Sequence, residues 1–310
     1  MRQLLLLFML LFGVTIISAQ QDPVLSHIFF DKVKINPAFA GSEDDICIGI
    51  INRQQWVGIE GAPKTTAFNA NTPINLMGVN SGVGISLMDD RLGFESNFRA
   101  NLQYAYYRNF GNGILRLGVE GGIYNIAFDG SWTTPGAPAD SDPAIPAEKD
   151  NSMVFDMAFG AAYILGDLYL GLSATHLTQT KFKFTNTELS YLKRHYYLIA
   201  GYNFQLSGGN IDLKPNLLIK SDAASTQITI NMIASYNKKF WGGVSYRTTD
   251  AIDVMAGIEL FNGIKIGYAY GLNFSKLINT NDGSHEIMLG YCFDIGFDKA
   301  PQKYRSVRFL

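Results

Sequence analysis

Histidine and cysteine are scarce in this chain, with four and two among 310 residues. His27, His176, His195 and His285 stand alone in sequence: no pair has the spacing of a metal-binding helix, and none adjoins a CxxC. A G-x-S-x-G elbow, a phosphate loop and a dinucleotide fingerprint are all absent. The expectation is a non-enzyme with no catalytic residue, no cofactor and no metal. A barrel-embedded lipid hydrolase using His176 or His285 is a minor alternative. The near-neutral charge of −2 argues against a nucleic-acid partner. Beyond residue 17, no apolar run approaches the ~20 residues of a membrane-spanning helix.

The first nineteen residues read as a signal peptide. Arg2 supplies positive charge, residues 4–17 are apolar, and Ser18-Ala19 is a small-residue cleavage site before Gln20. The chain as a whole is rich in glycine (31), phenylalanine (21) and tyrosine (16), a composition of many short strands. Side chains of a strand alternate between its faces. Residues 264–274 show this plainly: Ile264, Ile266, Tyr268, Tyr270, Leu272 and Phe274 alternate with Lys265, Gly267, Ala269, Gly271 and Asn273. The same period recurs near 98–106, 195–206, 228–237 and 286–295. It predicts one face toward lipid and one toward a lumen, an outer-membrane antiparallel β-barrel.

About fourteen strands are expected, near 46–56, 64–74, 81–92, 95–110, 113–129, 153–166, 168–184, 193–206, 211–222, 226–238, 241–249, 252–262, 264–276 and 284–296. Connections alternate between tight turns, such as Gly111-Asn112-Gly113 and Asn262-Gly263, and longer polar loops. That sorting suits a barrel with both termini in the periplasm. The longest loop, 130–152, carries Asp140, Asp142, Glu148 and Asp150; solvated charge explains these better than a calcium site, because no ligand register is present. Cys47 and Cys292 could pair if the first and last strands meet, or remain two buried thiols. The expected organisation is signal peptide 1–19, a periplasmic or plug-like segment 20–45, barrel 46–297 and a periplasmic tail 298–310.

The opening of the mature chain carries the most specific motifs. Gln21-Asp22-Pro23 is followed by Asn36-Pro37-Ala38-Phe39-Ala40-Gly41, then by Arg53, Gln55, Trp56, Gly58, Gly61, Ala62, Pro63 and Thr65 in the pattern R-x-Q-W-x-G-x-x-G-A-P-x-T. In these blocks and their spacing the chain resembles the PorP/SprF family of type IX secretion barrels of Bacteroidota. Asp31-Lys32-Val33-Lys34-Ile35 departs from it in being more charged. The resemblance implies an outer-membrane barrel that supports export or surface attachment of a partner, an adhesin-like substrate with a C-terminal targeting domain, as in gliding motility. Periplasmic secretion components and outer-membrane lipid would be the other partners. Arg53, Gln55, Trp56, Gly58, Gly61, Pro63, Lys64 and Thr65 form the candidate partner-recognition surface at the outer rim. Trp56 could equally be an interface-belt aromatic over a glycine-shaped turn. The rival reading is a channel for small or hydrophobic solutes with the opening segment as a hatch.

Overall fold

The computed structural model describes residues 22–43, 45–129, 149–184, 191–206, 209–248, 250–260, 263–274 and 281–293. The signal peptide, the core of the longest loop with Asp140, Asp142 and Glu148, and the tail from 298 lie outside them.

Alternating sequence becomes fifteen strand segments: β1 (Ile46–Gln54), β2 (Lys64–Leu76), β3 (Val79–Leu92), β4 (Glu95–Phe110), β5 (Gly113–Phe128), β6 (Asp150–Leu165), β7 (Leu168–Thr175), β8 (His195–Tyr202), β9 (Phe204–Gln205), β10 (Ile211–Ser221), β11 (Thr226–Tyr236), β12 (Phe240–Arg247), β13 (Ala251–Leu260), β14 (Ile264–Asn273) and β15 (Ser284–Phe293). β8 and β9 both pair with β10 and are two parts of one strand, interrupted at Asn203. Neighbours in sequence pair antiparallel, and β15 returns to β1. The result is a closed barrel of fourteen strands.

Closure leaves no strand at an open sheet edge, which the hydrocarbon requires. The outer face is apolar: Leu102, Phe155, Ile230, Phe274 and Ile287 are all more than half exposed, a surface suited to lipid rather than water. β2 to β6 run for 13 to 16 residues, against 8 in β7 and β12. A tilted membrane strand needs only about 9–11, so one side of the wall is taller than a bilayer demands.

The strand expected over 168–184 stops at Thr175. His176 takes a left-handed backbone (φ 55°), and Leu177 N–H donates to Met157 O at 2.9 Å. The chain then folds inward. Phe182 packs with Tyr124, Ile126, Val154 and Leu192 in a small second core, and that burial replaces further ladder pairing.

At the seam, Cys47 lies opposite Cys292 in the β1–β15 register, and the two form a disulfide with Cα atoms 4.1 Å apart. It joins the first and last strands across 245 residues. Replacing both cysteines by serine should lower barrel stability by about 2–4 kcal/mol, the usual effect of a long-loop bridge. An unchanged urea midpoint in detergent would refute this.

Candidate functional site

The segment before β1 sits inside the ring. Residues 22–43 form three single 3₁₀ turns, Ile28–Phe30, Lys32–Lys34 and Pro37–Phe39. The last has a local cause: Asn36 Oδ1 accepts from Ala38 N–H at 2.9 Å, and Pro37 supplies a preset φ at the first helical position. Asn36 Nδ2 also donates to the carbonyls of Ala161 on β6 and Leu172 on β7. Arg116 on β5 donates to Ala38 O (2.8 Å) and Ala40 O (2.6 Å). Gly41 N–H reaches Asn71 on β2. One short segment that touches strands on several sides of a closed ring must occupy its interior.

Apolar packing completes the fit. Leu25, Ile28, Phe29, Val33, Ala38 and Phe39 share a core with wall residues Ile51, Ile199, Ile233, Trp241 and Met288. Wall glycines make room for this contact: a Cβ on Gly82 would strike the Ala40 carbonyl, one on Gly118 the Pro37–Ala38 backbone, and one on Gly160 the Asn36 amide. Glycine there admits the luminal chain.

Toward the long-connection end, two buried charge clusters hold the segment. Glu286 on β15 is fully buried and bonds His27 Nδ1 (2.7 Å), the N–H groups of Ser26 and His27 (2.8 Å each) and Arg53 Nη1 (3.2 Å). Arg53 also donates to Ser26 Oγ at 2.7 Å. In the second cluster Asp22 pairs with Arg99 on β4 at 2.5 Å and accepts from the Tyr197 hydroxyl at 2.9 Å. His176 Nε2 lies 3.2 Å from Asp22 Oδ1, and its Nδ1 lies 2.6 Å from Asp156. Lys220 donates to the Asp22 carbonyl.

Burial alone would raise the Asp22 carboxyl pKa. Arg99 and His176 outweigh it and hold the group well below the usual carboxylate range. For His176 burial works downward, but Asp22 and Asp156 push the imidazole up to about 9.

The motif residues fall into two places. Asn36, Pro37, Ala38 and Gly41 are in the lumen. Arg53 and Thr65 also face inward and are buried, Thr65 donating to Asp90, so neither is presented on an open surface. Gln55, Trp56, Gly58, Gly61 and Pro63 make the β1–β2 turn and Lys64 opens β2, with Gly58, Gly61 and Lys64 exposed. This turn is tied to both neighbours: Val57 N–H donates to Gly283 O, Asp282 N–H to Val57 O, and Gly93 N–H to Gly61 O. Sequence reasoning missed the meeting of Asp22, His176 and His195, because ring closure and the luminal segment bring together residues far apart along the chain.

Fold and interior together define an outer-membrane β-barrel that carries its own amino-proximal segment in its lumen. The chain belongs to the type IX secretion system membrane protein PorP/SprF family, whose match spans residues 17–291. Among solved structures it is similar to Omp33 of Acinetobacter baumannii (TM-score 0.50, 8% identity, covering 81% of this chain and 99% of that one). It is also similar to the monoaromatic hydrocarbon channel CymD (0.51, 10%, 85% and 93%). At these identities the likeness concerns fold alone. No curated protein matches the chain in sequence.

Proposed function

We propose that this barrel is a non-enzymatic component of type IX secretion, supporting export or surface attachment of a partner protein. That partner is an adhesin-like substrate with a C-terminal targeting domain. The family match over residues 17–291 carries the reading. The segment packed inside the barrel supports it, since a general porin keeps an aqueous channel through its interior. Of the two histidines in the enzyme alternative, His176 lies between the carboxylates of Asp156 and Asp22, and His285 bonds the Tyr268 phenol. Periplasmic secretion components would meet the short-turn end, and the substrate the long-connection end.

On this reading, the exposed β1–β2 turn is the partner-facing surface. Trp56→Ala combined with Lys64→Glu should leave barrel assembly intact and reduce surface display of the partner. Normal display of every exported protein would remove the turn from the docking surface. Arg53 is unsuitable for such a test because its loss would disturb the Glu286 cluster.

The wider reading is tested by surface and secreted proteomics of a deletion strain. Loss of one large protein would mark a dedicated partner, and loss of many would mark a general machine component. An unchanged profile would favour a channel for small or hydrophobic solutes. One observation supports that second reading: a mainly apolar cavity lined by Phe30, Val33, Ile51 and Met288, between the luminal segment and the β1–β15 wall.

A further inference from the structure

Asp22, His176 and His195 are all buried, and one donor atom from each lies within 4.8 Å of the others. We propose that they bind a divalent first-row transition ion, with zinc as the working case, and that the ion fastens the luminal segment to the barrel wall.

The geometry is close to what zinc requires. Bonds of about 2.0–2.1 Å in a tetrahedron place neighbouring ligand atoms about 3.4 Å apart. Asp22 Oδ2 lies 3.3 Å from His176 Nε2 and 3.6 Å from His195 Nδ1. The other oxygen, Oδ1, stays with Arg99, so the ion need not displace that pair. Tyr197 continues to donate to Oδ2.

Two further observations point to an ion. Asp156 lies 2.6 Å from His176 Nδ1, the carboxylate–histidine arrangement that fixes a metal-binding tautomer and turns Nε2 inward. His195 Nδ1, in a side chain only 2% exposed, is buried without a hydrogen-bond partner. A lone pair left that way is costly, and a metal bond satisfies it.

The test uses the full chain in detergent, without a polyhistidine tag, stripped with chelator and titrated with zinc chloride. One equivalent should bind the native chain below millimolar concentration. His176→Ala and His195→Ala should each abolish that binding, and Asp156→Asn should weaken it about 10- to 100-fold. Cobalt(II) loading of the native chain gives a readout that needs no variant: intense visible bands of a four-coordinate ion are expected. Binding only at millimolar zinc, tight binding retained in either alanine variant, or a weak six-coordinate cobalt spectrum would each overturn the proposal.

Discussion

Excising residues 22–41 is expected to raise single-channel conductance in a planar bilayer several-fold while the barrel still assembles. The segment contributes Phe29, Val33, Ala38 and Phe39 to the interior core. Barrels of comparable strand number without such filling enclose water. The fourteen strands retain their pairing and their lipid-facing surface, so the loss falls on the lumen. A gentler route to the same state is Gly118→Leu, whose side chain would occupy the place of the Pro37–Ala38 backbone. Leucine is acceptable in a strand and intolerable only where the luminal chain lies against it. Both variants should open the barrel. Conductance equal to the native chain in both would show that the segment does not obstruct passage.

Glu286→Ala should be the most damaging single substitution in the wall, at about 3–5 kcal/mol, the usual cost of leaving a buried charge unpaired. The carboxylate serves four donors at once: the His27 ring, Arg53 and two backbone N–H groups. Its removal strands the Arg53 guanidinium, which is 2% exposed. The urea midpoint of the barrel in detergent would measure the loss. Adding Arg53→Ala should cost less than the sum of the two single changes, because the second removes the charge that the first left alone. Strict additivity would mean the pair contributes little.

The wall was legible because lipid and lumen impose opposite demands on alternate residues. Tyr196, Tyr202 and Phe204 face out while Tyr197 and Ile199 face in, as the period-two pattern required. The fourteen strands follow from this alternation; the turn residues are a separate signal, and the tight β3–β4 connection at Gly93 and Phe94 is an exception to their sorting. The error at 168–184 has a physical source. Phe182 and Phe184 continue an alternating apolar pattern, but they pack against one another and against Tyr124 and Phe128 instead of extending the ladder.

The interior was far less legible. Luminal contacts are long-range: Asp22 meets residues from 77 to 198 positions away, and no local spacing encodes them. Residues 36–41 stood out as a motif, yet only the packing of Asn36 and Pro37 against Gly118 and Gly160 explains why small residues recur on the facing strands. Arg53 is the reverse case. It lies in the same motif block as the exposed turn, but the strand alternation that carries it inward commits it to Glu286.

The Cys47–Cys292 bond bears on the route a client polypeptide could take. In a barrel with a weak seam, the first and last strands can part to hand a chain sideways into the bilayer. Here those strands are paired from Ile46↔Phe293 to Gln54↔His285 and are then riveted covalently. While the bond stands, this barrel has no lateral gate between its ends, so any client it serves must be received at a rim or along the outer wall.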